Sequence, residues 1–84
     1  MFLSILLQSA IGMSLSKMAA VLAASIVVIG AAIGIARIAS TALDAMARQP
    51  EVAGDIRSSM ILAAALIEGV SMFAILVSVL VVLL

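Results

Sequence analysis

The sequence predicts an all-α membrane protein, a two-helix transmembrane hairpin, and three observations carry that prediction. Two long stretches are almost free of charge, the segment between them gathers most of the charged residues, and the composition is far too apolar for a water-exposed surface. Of the 84 residues, 68% are hydrophobic and the mean hydropathy is +1.55, well outside the usage of soluble domains. A soluble globule of this length needs polar residues for the large surface it cannot bury, and here there are too few. The remaining surface must meet lipid or sister chains.

The first stretch, residues 18–36, reads MAAVLAASIVVIGAAIGIA, 19 residues without a charge. At about 1.5 Å per residue it crosses most of a hydrocarbon core of roughly 30 Å. The second, residues 60–84, reads MILAAALIEGVSMFAILVSVLVVLL, 25 residues interrupted by a single charge at Glu68. Backbone polar groups have no partner in lipid other than their own chain, so each stretch should be a helix, and Ala, Leu, Met and Ile suit one.

Between them, RIASTALDAMARQPEVAGDIRSS holds six of the eight charged residues and the only proline. The chain should turn in water near Arg48-Gln49-Pro50-Glu51. The expected layout is a single hairpin domain over 1–84, with an apolar extension at 1–16, helix one at 17–47, a polar loop at 48–51 and helix two at 52–84. Arg37, Arg48 and Arg57 lie on the turn side and only Lys17 near the far end, which places the turn in the cytoplasm and both termini outside. Residues 1–16 are apolar but lack a basic start, which weakens the alternative of a cleaved signal peptide. They are expected to extend helix one at the outer interface, with Lys17 reaching the headgroups.

There is no Cys and no His, which leaves thiol chemistry, disulfides, imidazole catalysis and the usual zinc sites without residues. No cofactor and no metal is expected. Acids and bases balance to zero net charge, and without a basic patch no nucleic-acid partner is expected. Any chemistry rests on carboxylates.

Glu68 is the residue that needs explaining. It stands eight residues into the second stretch with sixteen beyond it, about 12 Å along the helix. A charged carboxylate at such depth costs roughly 2.5–3.5 kcal/mol on insertion scales. It is therefore expected to stay protonated while it faces lipid and to ionise where a polar or cationic partner awaits, which is the behaviour of a proton carrier. The competing structural role is an ion pair inside the hairpin, for which Arg37 is the only candidate. Gly30, Ala32, Gly34 and Ala36 form a ladder of small residues that lets helices approach closely. Gly30 and Gly34 share one face, Ala32 and Ala36 another. Met13, Met18, Met60 and Met72 read as ordinary apolar surface. Ser25, Ser71 and Ser78 are expected to bond back to a carbonyl one turn earlier, with Ser71 also in reach of Glu68.

GAAIGIA at 30–36, ARQPE at 47–51, and a membrane carboxylate twenty positions after Arg48 together resemble the c subunit, or proteolipid, of F-type ATP synthases. The resemblance covers both helices and the loop. It implies a ring of identical hairpins, helix one inside and helix two outside, turning against a stator a subunit whose arginine draws the proton from each carboxyl in turn. Glu68 would be the proton site. Gly30, Ala32, Gly34 and Ala36 would match the inner-ring motif, which is often glycine at all four rungs, and the two alanines leave ring size open. Arg48, Gln49 and Pro50 would meet the central-stalk subunits, coupling rotation to ATP synthesis elsewhere. The chain itself would be no enzyme, with identical subunits and membrane lipid as its nearest partners, in an energy-coupling membrane such as a bacterial inner membrane.

Sodium-using members of that family supply oxygen ligands at the positions of Ile35, Gly69 and Val70. A hard cation wants several oxygens and these side chains have none, so protons are the expected ion, with a sodium-coupled relative as an alternative. Phe73 brings no hydroxyl, which leaves a backbone carbonyl near Leu66, or a water, to bond the protonated acid. A pore-forming, holin-like hairpin is the rival of another class, in which Glu68 and the loop would be idle. A small proton-coupled exporter is a third, although two Phe and no Trp or Tyr would line a substrate cavity poorly.

Overall fold

The computed structural model describes residues 1–84 and is a helical hairpin. Helix α1 runs Phe2–Arg48, a short 3-10 turn spans Pro50–Val52, and helix α2 runs Ala53–Leu83. Of 76 backbone hydrogen bonds, 72 lie within the helices, so nearly every peptide group is satisfied locally, as a lipid environment demands. Residues 2–16 continue α1 without a break, and the molecule is a rod of 73 × 16 × 9 Å. Arg48 closes α1 instead of opening the loop, so the four-residue connection runs over residues 49–52, one position later than expected.

The turn follows from one residue pair. Gln49 precedes proline, whose ring crowds the helical conformation of the residue before it, and Gln49 leaves the helix at φ −130°, ψ 69°. Its N–H still donates to the Ala45 carbonyl, and Val52 N–H donates to the Gln49 carbonyl at 3.1 Å. Pro50, with φ already fixed and no N–H to satisfy, starts the new helical path. No residue needs positive φ.

One narrow seam joins the helices. On α1 it runs through Ala20, Ala24, Val27, Ala31, Gly34, Ile38 and Ala42; on α2 through Ile56, Met60, Ala64, Ile67, Ser71, Ser78 and Val82. Steps of mostly three and four residues keep each row on one side of its helix. Most of the α1 row is small, which brings the backbones together. Closest is Gly34, where an added Cβ would stand 3.4 Å from the Ile67 side chain. Only Ala20, Ala42 and Ser71 are buried, so a single hairpin has a seam but no core.

The small-residue ladder divides accordingly. Gly34 is half-buried against α2, whereas Gly30, Ala32 and Ala36 are exposed, and nothing lies within 4 Å of the Gly30 Cβ position. Two substitutions should therefore behave differently. Gly34→Leu forces its side chain into Ile67 and should splay the helices, while Gly30→Leu should leave the hairpin intact and disturb only contacts with other chains. Distances between spin labels on α1 and α2 in nanodiscs separate the two; equal, unchanged distances in both variants would contradict the seam.

Candidate functional site, a lone carboxyl at mid-helix

Glu68 stands fifteen residues after Ala53 and fifteen before Leu83, about 22 Å from either end of α2. The helix places it there because the surrounding sequence is apolar on every side and nothing breaks the hydrogen-bond ladder. Its neighbour Ile67 meets Gly34, so Glu68 lies about level with Ile33 of α1. The side chain is exposed on the flank of the hairpin. The four side-chain hydrogen bonds of the chain all come from serines, and Glu68 takes part in none of them. The hairpin presents this carboxyl outward to whatever lies beside it.

Arg37, the one candidate for an internal ion pair, lies close to Glu68 along the axis. The Gly34–Ile67 contact puts Arg37 level with Ala64, one helical turn, about 6 Å, from Glu68. What separates the two is the flank. Met60 and Ile67 belong to the seam; Ser59 comes one residue before the first and Glu68 one residue after the second. Successive residues are about 100° apart, so Ser59 and Glu68 leave α2 on opposite sides. Arg37 shares a groove with Thr41, Ile56 and Ser59, the side away from Glu68.

Ser71 does not serve the carboxyl. Its hydroxyl donates to the Ile67 carbonyl at 2.8 Å, inside the seam. Ser25 and Ser78 likewise donate to Val21 and Ala74, each at 3.0 Å, as their positions in apolar helices require. Ser58, which the sequence did not single out, does the same to Gly54 at 3.1 Å. Of the three positions weighed as cation ligands, Ile35 is half-buried while Gly69 and Val70 are exposed, and none adds a side-chain oxygen. On the flank opposite Glu68, at the same height, Gly30 and Gly34 form a shallow apolar groove with Leu66 and Val70.

The polar turn lies eighteen residues before Glu68 along α2, counted from Pro50, or about 27 Å. Arg48 and Gln49 border a small polar recess with Thr41 and Asp44, and Pro50 caps the end of the rod. The site therefore has two separate parts, an acid among apolar side chains and a charged tip, joined by rigid helix. The sequence located both, but it missed the seam, whose signal was the three-and-four spacing of alanines from Ala20 to Ala42.

A family model described as the ATP synthase C subunit matches residues 18–81, most of the chain. The ATP synthase c subunit of Phocaeicola vulgatus is 57% identical over 77 residues, 92% of this chain and 92% of its own length. Its namesake from Bacteroides thetaiotaomicron is 52% identical over 82 residues, 96% of each chain. A more distant one, from Lacticaseibacillus casei, is 43% identical over 60 residues, 71% of this chain and 86% of its own. With two long apolar helices, the single mid-helix carboxyl and the Arg-Gln-Pro turn already in place, the matches settle the assignment: the chain belongs to the family of ATP synthase c subunits.

Proposed function

We propose that the chain is the proton-carrying rotor subunit of an ATP synthase, with Glu68 as the group that takes up and releases the proton. The observation that carries the reading is the isolation of Glu68: a carboxyl at the middle of a 31-residue apolar helix, exposed on a flank and engaged by no group of its own hairpin. Charge in hydrocarbon is costly, so the acid travels through lipid in its neutral form. It gives up the proton only where water and a cation are offered, the role the family assigns to the stator. Neutral in lipid and ionised at the stator, Glu68 makes rotation and proton transfer a single event.

The other parts follow from the same reading. Identical hairpins assemble into a ring, with the exposed rungs Gly30, Ala32 and Ala36 at contacts between α1 helices. Arg48, Gln49 and Pro50 meet the central stalk from the cytoplasmic end, and the termini lie on the other side of an energy-coupling membrane, as the basic residues favour. The apolar trio Ile35, Gly69 and Val70 favours a bare proton over sodium. A holin-like pore would leave Glu68 and the turn without work, and family membership argues against it. ATP chemistry belongs to other subunits.

Three outcomes test the assignment. Glu68→Gln keeps size and loses the ionisable proton; it should leave the protein inserted in the membrane and reduce ATP-driven proton pumping in vesicles to background, and normal pumping would remove Glu68 from its role. A hydrophobic carbodiimide should label Glu68 ahead of Asp44, Glu51 and Asp55, and millimolar sodium should give no protection, since clear protection would reveal cation ligands beyond the three positions named. Replacing Arg48 and Gln49 together with Ala should preserve passive proton conduction while abolishing coupled ATP synthesis. Retention of both activities would reduce the turn to a connector.

A further inference from the structure

In a closed ring each contact joins one flank of a hairpin to the opposite flank of the next, because a cyclic interface pairs two different surfaces. The two flanks of this hairpin differ in charge just above the apolar stretch. Ile56 of α2 is half-buried in the seam, while Asp55 and Arg57, one residue on either side of it, are exposed. At about 100° per residue the two project from opposite flanks. Arg57 lies on the flank of Glu68, eleven residues on and so about 20° away around the helix. Asp55 lies on the flank of Ser59 and Arg37, which border one groove. Neither Asp55 nor Arg57 takes part in the hairpin's own side-chain hydrogen bonds.

We infer that Arg57 of one hairpin pairs with Asp55 of the next, a contact repeated around the ring on its cytoplasmic side. Rotation about a ring axis keeps every copy at one height, so the two residues are offset by only their spacing along α2, about 3 Å, well within the reach of an arginine. On the receiving flank Asp44, level with Arg57 on α1, shares its recess with Arg48, and Arg37 lies deeper, so that flank carries charges of both signs, with Asp55 as its exposed acid on α2. A surface ion pair contributes little by itself, but every interface of the ring carries the same one. Reversing one partner sets like charges against each other at every interface, and the contact also fixes which flank meets which. The inference rests on the ring reading, and the experiment tells the two apart.

The test uses the full-length chain, extracted from membranes in mild detergent, with the ring read as a band on a native gel. Arg57→Asp and Asp55→Arg, made singly, should each lose most of the ring band, and the two together should restore it to near the parental level. Because the chain has no cysteine, oxidation of the double variant D55C/R57C should give a ladder of disulfide-linked subunits. R57C/I61C, with both positions on one flank, should give none. The ladder covers the case in which a charge reversal fails to insert or fold. If the single reversals leave the ring unchanged, if the double reversal does not restore it, or if D55C/R57C gives no ladder while the parent forms a ring, the pairing is overturned. A parent that forms no ring overturns the ring reading itself.

Discussion

The register of two antiparallel helices governs the rest of the molecule, and it is set by a connection with no slack. Gln49 leaves the helix because proline follows it, Pro50 restarts the path, and α2 begins at Ala53. With so little chain between the helices, Gly34 must face Ile67, and every other level in the hairpin is then fixed at about 1.5 Å per residue. Glu68 comes to rest at the midpoint of its helix, Arg37 one turn nearer the loop on the opposite flank, and the polar recess at the tip. A longer or looser loop would allow the helices to slide, and a slide of one turn would bring the acid level with Arg37.

Little energy holds the hairpin to itself. Three of 84 residues are buried, and the seam consists largely of alanine, glycine and serine, whose contacts are numerous only because the backbones come close. In lipid the apolar flanks gain nothing from leaving one hydrocarbon neighbour for another, so the seam relies on dispersion and on the absence of bulk at Gly34. Serines at 25, 58, 71 and 78 spend their protons on their own helix, which lets Ser25, Ser71 and Ser78 sit in an apolar stretch without demanding outside partners. Within the apolar stretches 18–36 and 60–84, the Glu68 carboxyl is the one polar side chain without such a bond. A hairpin so little enclosed is suited to work as one of many.

The charged residues divide the same way. Those near the turn gather at the polar end of the rod, while Glu68 is about 16 Å deeper than Arg57, the nearest charge before it on α2. Long uninterrupted helices keep the charged tip and the acid apart and link them through a stiff rod and not through a hinge.

Composition and spacing alone determined the class of the molecule. Nineteen and 25 residues of apolar sequence with a charged interval and one proline admit little besides a membrane hairpin, because lipid leaves the backbone no alternative to helix. Glu68 was legible for the same reason, as a charge where charge is expensive. The flanks were not legible. That Gly34 is half-buried while Gly30, Ala32 and Ala36 are exposed, that Ser71 bonds Ile67 and not the acid, and that Arg37 lies one turn from Glu68 yet on the other side are all consequences of how one helix is rotated against the other. An apolar helix embedded in lipid shows almost no hydrophobic contrast between its faces, so its sequence does not announce which face meets its partner. Only the close approach of two backbones, at small residues spaced three and four apart, decides it.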